Sequence, residues 1–141
     1  MAEVILRSYN HDTDYAGLRS LLEEVGLFDP DYEAPERLEV ASQRHSDMIT
    51  VAVIDDGIVG SVYFQDGVIP TANRLAVRSK EQNRGIGSAL LGLVETRARE
   101  LGHRYLELSV SPKNATAHSF YENRGYTAGQ TYTNMYRRID V

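Results

Sequence analysis

The N-terminal part of the chain alternates between apolar and polar positions in a way that predicts one strand and two helices. Residues 4–9 have the composition of a strand. Asn10 or Asp12 can then cap a helix. The apolar residues of that helix recur at helical spacing and are Tyr15, Leu18, Leu21, Leu22 and Val25. Pro35 suits the first turn of a second helix over roughly 35–45, which has a weaker apolar stripe.

The next stretch is rich in β-branched residues and predicts three antiparallel strands. The strand segments are residues 49–54, 58–65 and 68–77. Asp55-Asp56-Gly57 has the composition of a tight hairpin turn, and Asp66-Gly67 repeats that chemistry. Because proline cannot donate to a sheet ladder, Pro70 should confine the pairing of the third strand to the residues that follow it.

After the third of these strands the pattern changes to a helix between two strands. A polar loop over residues 78–84 precedes a long amphipathic helix that Gly102 ends. Residues 105–110 predict a strand, which should run parallel to the strand before the helix because such crossovers join parallel strands. A short helix over 115–124 and a final strand over 132–139 complete the chain. The predicted fold class is therefore α/β, with a mixed, mostly antiparallel sheet that contains a central parallel βαβ pair.

Composition and charge narrow the class of protein. The 141 residues, 42% hydrophobic and 25% charged, are typical of one globular domain spanning residues 1–141. No membrane span and no export signal is predicted, and the absence of cysteine removes a thiol nucleophile; a cytoplasmic enzyme fits. The net charge of −5 disfavours nucleic acid and anionic membranes as partners. The four histidines are scattered without the spacing of metal ligands, so no metal is expected.

A glycine-containing loop lies between the third β segment and the long helix. It consists of Gln82, Asn83, Arg84, Gly85, Ile86, Gly87 and Ser88. The first amides of a helix have no internal partner and lie at the positive end of the helix dipole, and glycines let a phosphate approach them closely. The loop therefore predicts a diphosphate cradle, to which Arg84 and Ser88 can add a charge and a hydroxyl. It lacks the lysine of a P-loop and the third glycine of a dinucleotide motif; a tight turn that merely starts a helix is an equal alternative.

A second motif follows the predicted strand 105–110, and the two motifs together resemble the GNAT superfamily of N-acetyltransferases. The first family pattern is matched by Gln82, Gly85 and Gly87. The second is matched by Asn114, Ala117, Phe120, Tyr121, Gly125 and Tyr126. Both patterns occur in order and flank the predicted crossover. The resemblance covers the element order of nearly the whole chain and is weakest between Gly26 and Asp47.

The resemblance implies a ligand and the place where it binds. The strands ending at Val77 and Val110 would splay apart to form a cleft for acetyl-CoA, which acts as co-substrate. Its pyrophosphate would lie on the glycine loop, and its pantetheine arm would pair with the backbone that precedes that loop, as an added strand does. The residues expected to contact it are Leu75, Ala76, Val77, Gln82, Asn83, Arg84, Gly85, Ile86, Gly87, Ser88, Asn114, Ala117 and Tyr121. Asn114 can equally serve as a helix cap, and both roles are compatible.

The resemblance also implies that a primary amine attacks the thioester directly, without a protein nucleophile. Tyr121, a phenol with an ordinary pKa of about 10, would protonate the departing thiolate as the catalytic general acid. A free backbone amide of Leu75 or Ala76 would bind the oxyanion. At two positions where relatives carry an acidic base this chain has Thr71 and Ser109, so no general base is assigned.

The acceptor is predicted to be an amine of a small molecule or a peptide. The acidic stretch 28–39, with Tyr132 and Tyr136, is where acceptor contacts are expected, although a solvated surface is the simpler explanation of its charges. The last strand can also pair across a homodimer, as in some relatives. Two other functions stay open: a non-catalytic acyl-CoA-binding or regulatory domain, which the missing acid favours, and a nucleotide-binding fold with a coincidental glycine turn.

Overall fold

The computed structural model describes residues 2–140, which fall into two compact units. The first unit runs to Leu108 and the second begins at Ser109. The first contains the sheet and three of the four helices, and the second contains a single short helix.

The first unit is built on a four-stranded antiparallel sheet with the strand order β1-β2-β3-β4. The strands are β1 (Ile5–Ser8), β2 (Ile49–Ile54), β3 (Gly57–Gln65) and β4 (Thr71–Val77). The predicted meander of three strands is thus confirmed, and β1 adds to it by pairing with β2. Asp55 and Asp56 have φ values of 49° and 64°, as the two-residue turn of a tight hairpin requires. As Pro70 predicts, β4 begins directly after it.

Helices cover both faces of this sheet. They are α1 (His11–Glu24), α2 (Pro35–Arg44) and α3 (Ile86–Glu100), close to the predicted bounds. α1 and α2 pack against one face, where Leu18 and Leu22 are fully buried beside Val51. α3 packs against the other face, and Ile86 and Leu90 lie so close to Gly60 that a Cβ there would stand 3.1 Å from Leu90. Every residue of β3 between its two ends is buried, as expected for a strand covered on both sides.

The strand predicted over residues 105–110 is wrong as a regular element. Only Glu107 pairs with β4, through a parallel bridge to Thr71 in which the Ala72 amide donates to the Glu107 carbonyl at 2.9 Å. The predicted parallel direction is found at this single point. Side-chain exposure alternates from residue 106 to residue 110, as in a strand. A regular strand also needs a continuous ladder of backbone hydrogen bonds, which this segment lacks among the described residues.

The second unit contains one helix, α4 (Ala115–Asn123), which the sequence predicted. The final strand predicted over 132–139 is wrong, because residues 127–140 have no regular secondary structure. Tyr132 is 81% and Met135 88% exposed, so neither side chain is part of a core. A segment with strand-like composition forms a strand only where a neighbouring edge accepts its backbone groups.

No helix among the described residues has the length and apolar character that crossing a membrane requires.

Candidate functional site

The glycine loop forms an open helix N-terminus directly after β4. Gly85 is the N-cap residue of α3 and has a left-handed conformation, with φ 80° and ψ 7°. It offers no capping side chain, so the first amides of α3 keep their hydrogen-bonding capacity for a ligand. A Cβ atom built on Gly85 would meet nothing within 4 Å, which means that the approach is open. This geometry fits an anion, since the helix dipole adds partial positive charge at the same place.

Contacts within the loop hold it in shape. The side-chain amide of Gln82 donates to the Val77 carbonyl at 3.2 Å and ties the loop back to the end of β4. Arg84 forms an ion pair with Glu81, in the short 3-10 turn before the loop. Ile86 is 3% exposed and anchors the start of α3 in the core. Gln82 therefore shapes the loop, while Arg84, Gly85 and the first amides of α3 face outward.

The backbone of β4 next to this loop alternates in direction. The amide of Arg78 donates to the Val59 carbonyl of β3 at 2.8 Å, so Arg78 faces β3. In an antiparallel pair successive residues face opposite ways, and Val77 therefore turns its amide and carbonyl away from β3 while Ala76 turns its own toward β3. Of the three residues expected to pair with a ligand, Val77 and Leu75 direct backbone groups outward.

A bulge interrupts β4 at the same place. Ser61 is opposite Ala76 and Tyr63 is opposite Asn73, so Arg74 and Leu75 lie opposite the single residue between them on β3. Arg74 has a positive φ of 52°. Its carbonyl accepts a hydrogen bond from Ser61 Oγ at 2.9 Å.

A buried ion pair, which the sequence did not predict, packs beside this bulge. Glu33, in the loop between α1 and α2, is 2% exposed. Its carboxylate accepts hydrogen bonds from Arg74 Nη2 at 3.2 Å and Arg74 Nε at 3.3 Å. It also accepts from the Tyr63 hydroxyl at 3.3 Å and the Asp29 amide at 2.9 Å. Burial and the neighbouring carboxylate of Glu33 raise the pKa of Tyr63 well above its usual range.

The acidic stretch 28–39 is only partly available to an acceptor. Asp29 accepts from the amides of Asp31 and Tyr32 at 2.8 and 3.1 Å, and these bonds lower the pKa of its carboxyl. Glu33 is committed to Arg74. Both carboxylates thus stabilise the loop itself.

In the second unit, α4 is closed at both ends by its own residues. Asn114 is the N-cap, and its side-chain oxygen accepts from the Ala117 amide at 3.0 Å. The capping role that the sequence offered for Asn114 is therefore confirmed. Gly125, at φ 93°, ends the helix, and the Tyr126 amide then donates to the Tyr121 carbonyl at 3.0 Å. This fixes the position of Tyr121 in the last turn of α4.

The Tyr121 side chain is partly buried among aromatic rings. Its ring contacts Tyr126 edge-on at 5.7 Å between centroids, and Phe120 at 5.3 Å. Burial raises the pKa of the Tyr121 hydroxyl. A raised pKa keeps the phenol protonated at neutral pH, which a proton donor requires.

Two cavities open on the first unit, of about 890 and 480 Å³. None of the residues expected to contact acetyl-CoA lines them, and Glu39 of the acidic stretch lines the smaller one. Within residues 2–140 no group of three or more His, Asp or Glu side chains is arranged to hold a metal ion.

Comparison with known proteins assigns the sequence to a family. A family model described as the Acetyltransferase (GNAT) family matches residues 15–126. That span includes the glycine loop and the whole of the second motif. No curated protein sequence matches this chain.

Solved structures with similar folds are numerous. A PaiA N-acetyltransferase from Thermoplasma acidophilum, in complex with coenzyme A, is 20% identical with a TM-score of 0.80, over 92% of this chain and 93% of that chain. A putative acetyltransferase of the GNAT family from Desulfovibrio desulfuricans is 25% identical with a TM-score of 0.79, over 96% and 92%. Aminoglycoside N-acetyltransferase AAC(6')-Iy, in complex with CoA, is 16% identical with a TM-score of 0.77, over 99% and 97%.

Proposed function

Because the chain belongs to the GNAT acetyltransferase family, we propose that it transfers an acetyl group from acetyl-CoA to a primary amine of a small molecule or peptide. The observation that carries this proposal is the N-terminus of α3. There a left-handed Gly85, with open space around it and no capping side chain, presents helix amides directly after β4. That arrangement suits a diphosphate, and coenzyme A carries one.

The residues around this helix N-terminus fit the pyrophosphate and the pantetheine arm of coenzyme A. The loop 84–88 would bind the pyrophosphate through its amides, with Arg84 and Ser88 as additional donors. The outward backbone groups of Leu75 and Val77 would pair with the pantetheine arm, as an added strand pairs with a sheet edge. The amide and carbonyl of Ala76 point toward β3, so Ala76 would contact the arm only through its place between Leu75 and Val77. Asn114 and Ala117 are the remaining residues proposed to contact coenzyme A.

In the proposed reaction the neutral amine attacks the thioester carbon and forms a tetrahedral species. The outward amide of Leu75 would donate to its oxyanion. On collapse the C–S bond breaks and the thiolate takes a proton from the Tyr121 hydroxyl. The acetylated amine loses a proton to solvent, and solvent returns a proton to the Tyr121 phenolate. Because burial raises the pKa of the Tyr121 hydroxyl, the phenol stays protonated until the thiolate forms.

No residue of the chain is proposed to remove the first proton from the amine. An alkyl amine with a pKa near 10.4 is only about 0.04% neutral at pH 7, so an acceptor must lose its proton before it attacks. Thr71 and Ser109 stand where relatives carry an acid and cannot accept that proton at neutral pH. The Glu33 carboxylate already accepts hydrogen bonds from Arg74, Tyr63 and the Asp29 amide, so it is not proposed as the base.

The decisive experiment is an assay of thiol release from acetyl-CoA with a panel of amines. The panel would include an aminoglycoside and a glucosamine phosphate, since structural relatives are named for these two substrate classes, together with polyamines and peptide N-termini. Amine-dependent thiol release supports the proposal. CoA binding without release on any amine would support the non-catalytic acyl-CoA-binding alternative, which Thr71 favours. Stabilisation by ATP or NAD in preference to CoA would instead indicate a nucleotide-binding fold.

We also propose that the exposed C-terminal segment pairs with a second copy of the chain. Tyr132, Met135, Tyr136 and Ile139 are between 81% and 88% exposed. Exposed apolar side chains grouped in one segment favour an interface. Light scattering would give twice the chain mass for the intact protein and a monomer for the variant Tyr136→Asp/Ile139→Asp. A cytoplasmic location remains a prediction from the sequence.

A further inference from the structure

Arg74 has a backbone conformation that is unusual for its residue type. Four non-glycine residues within residues 2–140 have positive φ, and three of them are Asp or Asn: Asp55, Asp56 and Asn83. Asp and Asn tolerate the left-handed region because their short side chains bond locally, whereas other L-residues lose about 1–2 kcal/mol there. Arg74 is the exception, at φ 52° in the middle of a strand. Something in the surroundings must hold it there.

The bulge at Arg74 is of a kind that normally carries glycine. Arg74 and Leu75 lie opposite one residue of β3. When the first residue of such a bulge is left-handed, glycine is the usual choice because it has no Cβ. An arginine at this position therefore carries strain that a glycine would avoid.

Two sets of contacts hold this strained residue. The guanidinium is bound by the buried carboxylate of Glu33 through two hydrogen bonds of 3.2 and 3.3 Å. The carbonyl is bound by Ser61 Oγ at 2.9 Å. That carbonyl belongs to the peptide group that also contains the Leu75 amide. Because the C=O and N–H of a trans peptide point in opposite directions, a carbonyl held by Ser61 of β3 directs the Leu75 amide away from β3.

We propose that the Glu33–Arg74 ion pair is a positioning device for acetyl transfer. By holding Arg74 in the left-handed conformation, the pair fixes the peptide group that aims the Leu75 amide at the oxyanion. Glu33 and Arg74 do not touch the reacting atoms. The inference rests on the proposed function and adds to it a residue pair that holds an otherwise strained backbone conformation, on which the oxyanion contact depends.

The test compares Arg74→Gly with Arg74→Ala. Both variants remove the guanidinium and leave Glu33 equally unpaired, so their difference isolates the backbone. Glycine adopts φ 52° without strain, whereas alanine does not. We expect Arg74→Gly to keep kcat within about twofold of the wild type once both are folded, and Arg74→Ala to lower kcat about tenfold, as a loss of about 1.4 kcal/mol predicts. KM for acetyl-CoA should stay the same in both variants.

A second readout does not depend on activity. The ¹⁵N–¹H signal of the Leu75 amide should stay near its wild-type position in Arg74→Gly and move in Arg74→Ala. Ser61→Ala, which frees the Arg74 carbonyl, should move the same signal and lower kcat in the same direction.

Two outcomes would overturn the inference. Equal kcat losses in the two Arg74 variants, with a higher KM for the amine, would show that the guanidinium contacts the acceptor. Unchanged kcat with lower thermal stability in both would show a purely structural pair. An inactive wild type would count against the proposed function, and the Leu75 signal would still decide whether the pair controls the peptide group.

Discussion

Tyr121 stands in surroundings that suit a proton donor, because aromatic contacts bury its ring and burial raises the pKa of its hydroxyl. Arg74 shows the same relation to its surroundings at the level of the backbone, since Ser61 binds its carbonyl and Glu33 binds its guanidinium. At the scale of the residue, chemistry follows from what each group contacts. The identity of a tyrosine or an arginine alone does not determine it.

Replacement of Tyr121 by phenylalanine tests the proton donor. We expect kcat to fall by roughly ten- to a thousandfold, the range for loss of an acid catalyst, while the affinity for CoA stays nearly unchanged. Steady-state kinetics and calorimetric CoA binding measure the two quantities. Tyr126→Phe is the matched control, because it removes a neighbouring phenol and should retain turnover. Normal turnover in Tyr121→Phe would end the assignment.

The pH profile gives an independent test of the same residue. A general acid works in its protonated form, and the pKa of Tyr121 lies above its ordinary value of about 10. The alkaline loss of kcat that belongs to this group should therefore begin only above about pH 10 and should be missing in Tyr121→Phe. A loss of kcat near pH 8 that disappears in this variant would contradict the raised pKa.

Asp14 provides a stability test that is independent of catalysis. It joins β1 to the start of α1, since its carboxylate accepts from Arg7 Nη1 at 2.6 Å and from the Asn10 amide at 2.8 Å. Burial pushes its pKa up, but these hydrogen bonds outweigh burial and lower it. Asp14→Asn should lower the free energy of unfolding by about 2–3 kcal/mol, as expected for a buried charged hydrogen bond.

The lowered pKa of Asp14 also determines how the free energy of unfolding depends on pH. The stabilisation by Asp14 is present above the unfolded-state pKa of about 3.9 and is lost as pH falls through the folded-state pKa. Denaturant titrations between pH 2 and 7 should show a shallower acid loss in Asp14→Asn. The control Asp12→Asn changes an exposed carboxylate two residues before Asp14. Its free energy of unfolding should stay within about 0.5 kcal/mol of the wild-type value at neutral pH.

At the scale of the element, helix α3 has one end that is proposed to bind coenzyme A and one end with a purely structural role. Both ends carry a left-handed glycine in open space, Gly85 with φ 80° before the helix and Gly102 with φ 89° after it. Only the N-terminal end presents free amides and the positive end of the dipole. Replacement of either glycine by a residue with a Cβ atom should therefore cause similar backbone strain. Only Gly85 is proposed to lie at the cofactor site.

This asymmetry makes a matched pair of variants. Gly85→Ala and Gly102→Ala should each lower the free energy of unfolding by about 1–2 kcal/mol, because alanine is strained at positive φ. Only Gly85→Ala should also weaken CoA binding, since it adds a Cβ atom where the pyrophosphate would approach. Chemical denaturation and calorimetry measure the two effects. Equal CoA affinities in both variants would separate the glycine loop from the proposed binding site.

Prediction from sequence succeeded for elements that local pattern specifies. The hairpin at Asp55 and Asp56 and the cap at Asn114 depend on neighbours a few residues away, and both were found. The strands predicted over 105–110 and 132–139 failed as regular elements. Their composition is typical of strands, but a strand is stable only when a partner edge accepts its backbone groups, and that partner is not encoded in the segment itself.

At the scale of the whole molecule, the two compact units differ in how much they bury. The first has a continuous core that includes Leu18, Leu21 and Val51. In residues 109–140 no side chain is fully buried. A unit of that size without a core of its own is too small to fold alone. That the residues 1–141 form a single domain remains a prediction.

A fragment experiment tests that prediction. A peptide of residues 109–141 should show no cooperative thermal transition by circular dichroism, because it buries too little apolar surface to offset the loss of chain entropy. The full chain should unfold in one transition observed equally by circular dichroism and tyrosine fluorescence. Two separate transitions in the full chain would show that the units fold independently.

The sequence by itself determined the main helices, the antiparallel meander and the glycine loop, because these depend on periodicity, turn chemistry and caps within a short stretch of chain. Only the tertiary structure brought Glu33 against Arg74, which are 41 positions apart. No local pattern marks that pair, since Glu33 lies in a stretch that resembles a solvated acidic surface and Arg74 lies in a strand. The physical reason is burial. A carboxylate that is removed from water is stable only beside a cation and hydrogen-bond donors, and the fold supplies both at the β4 bulge.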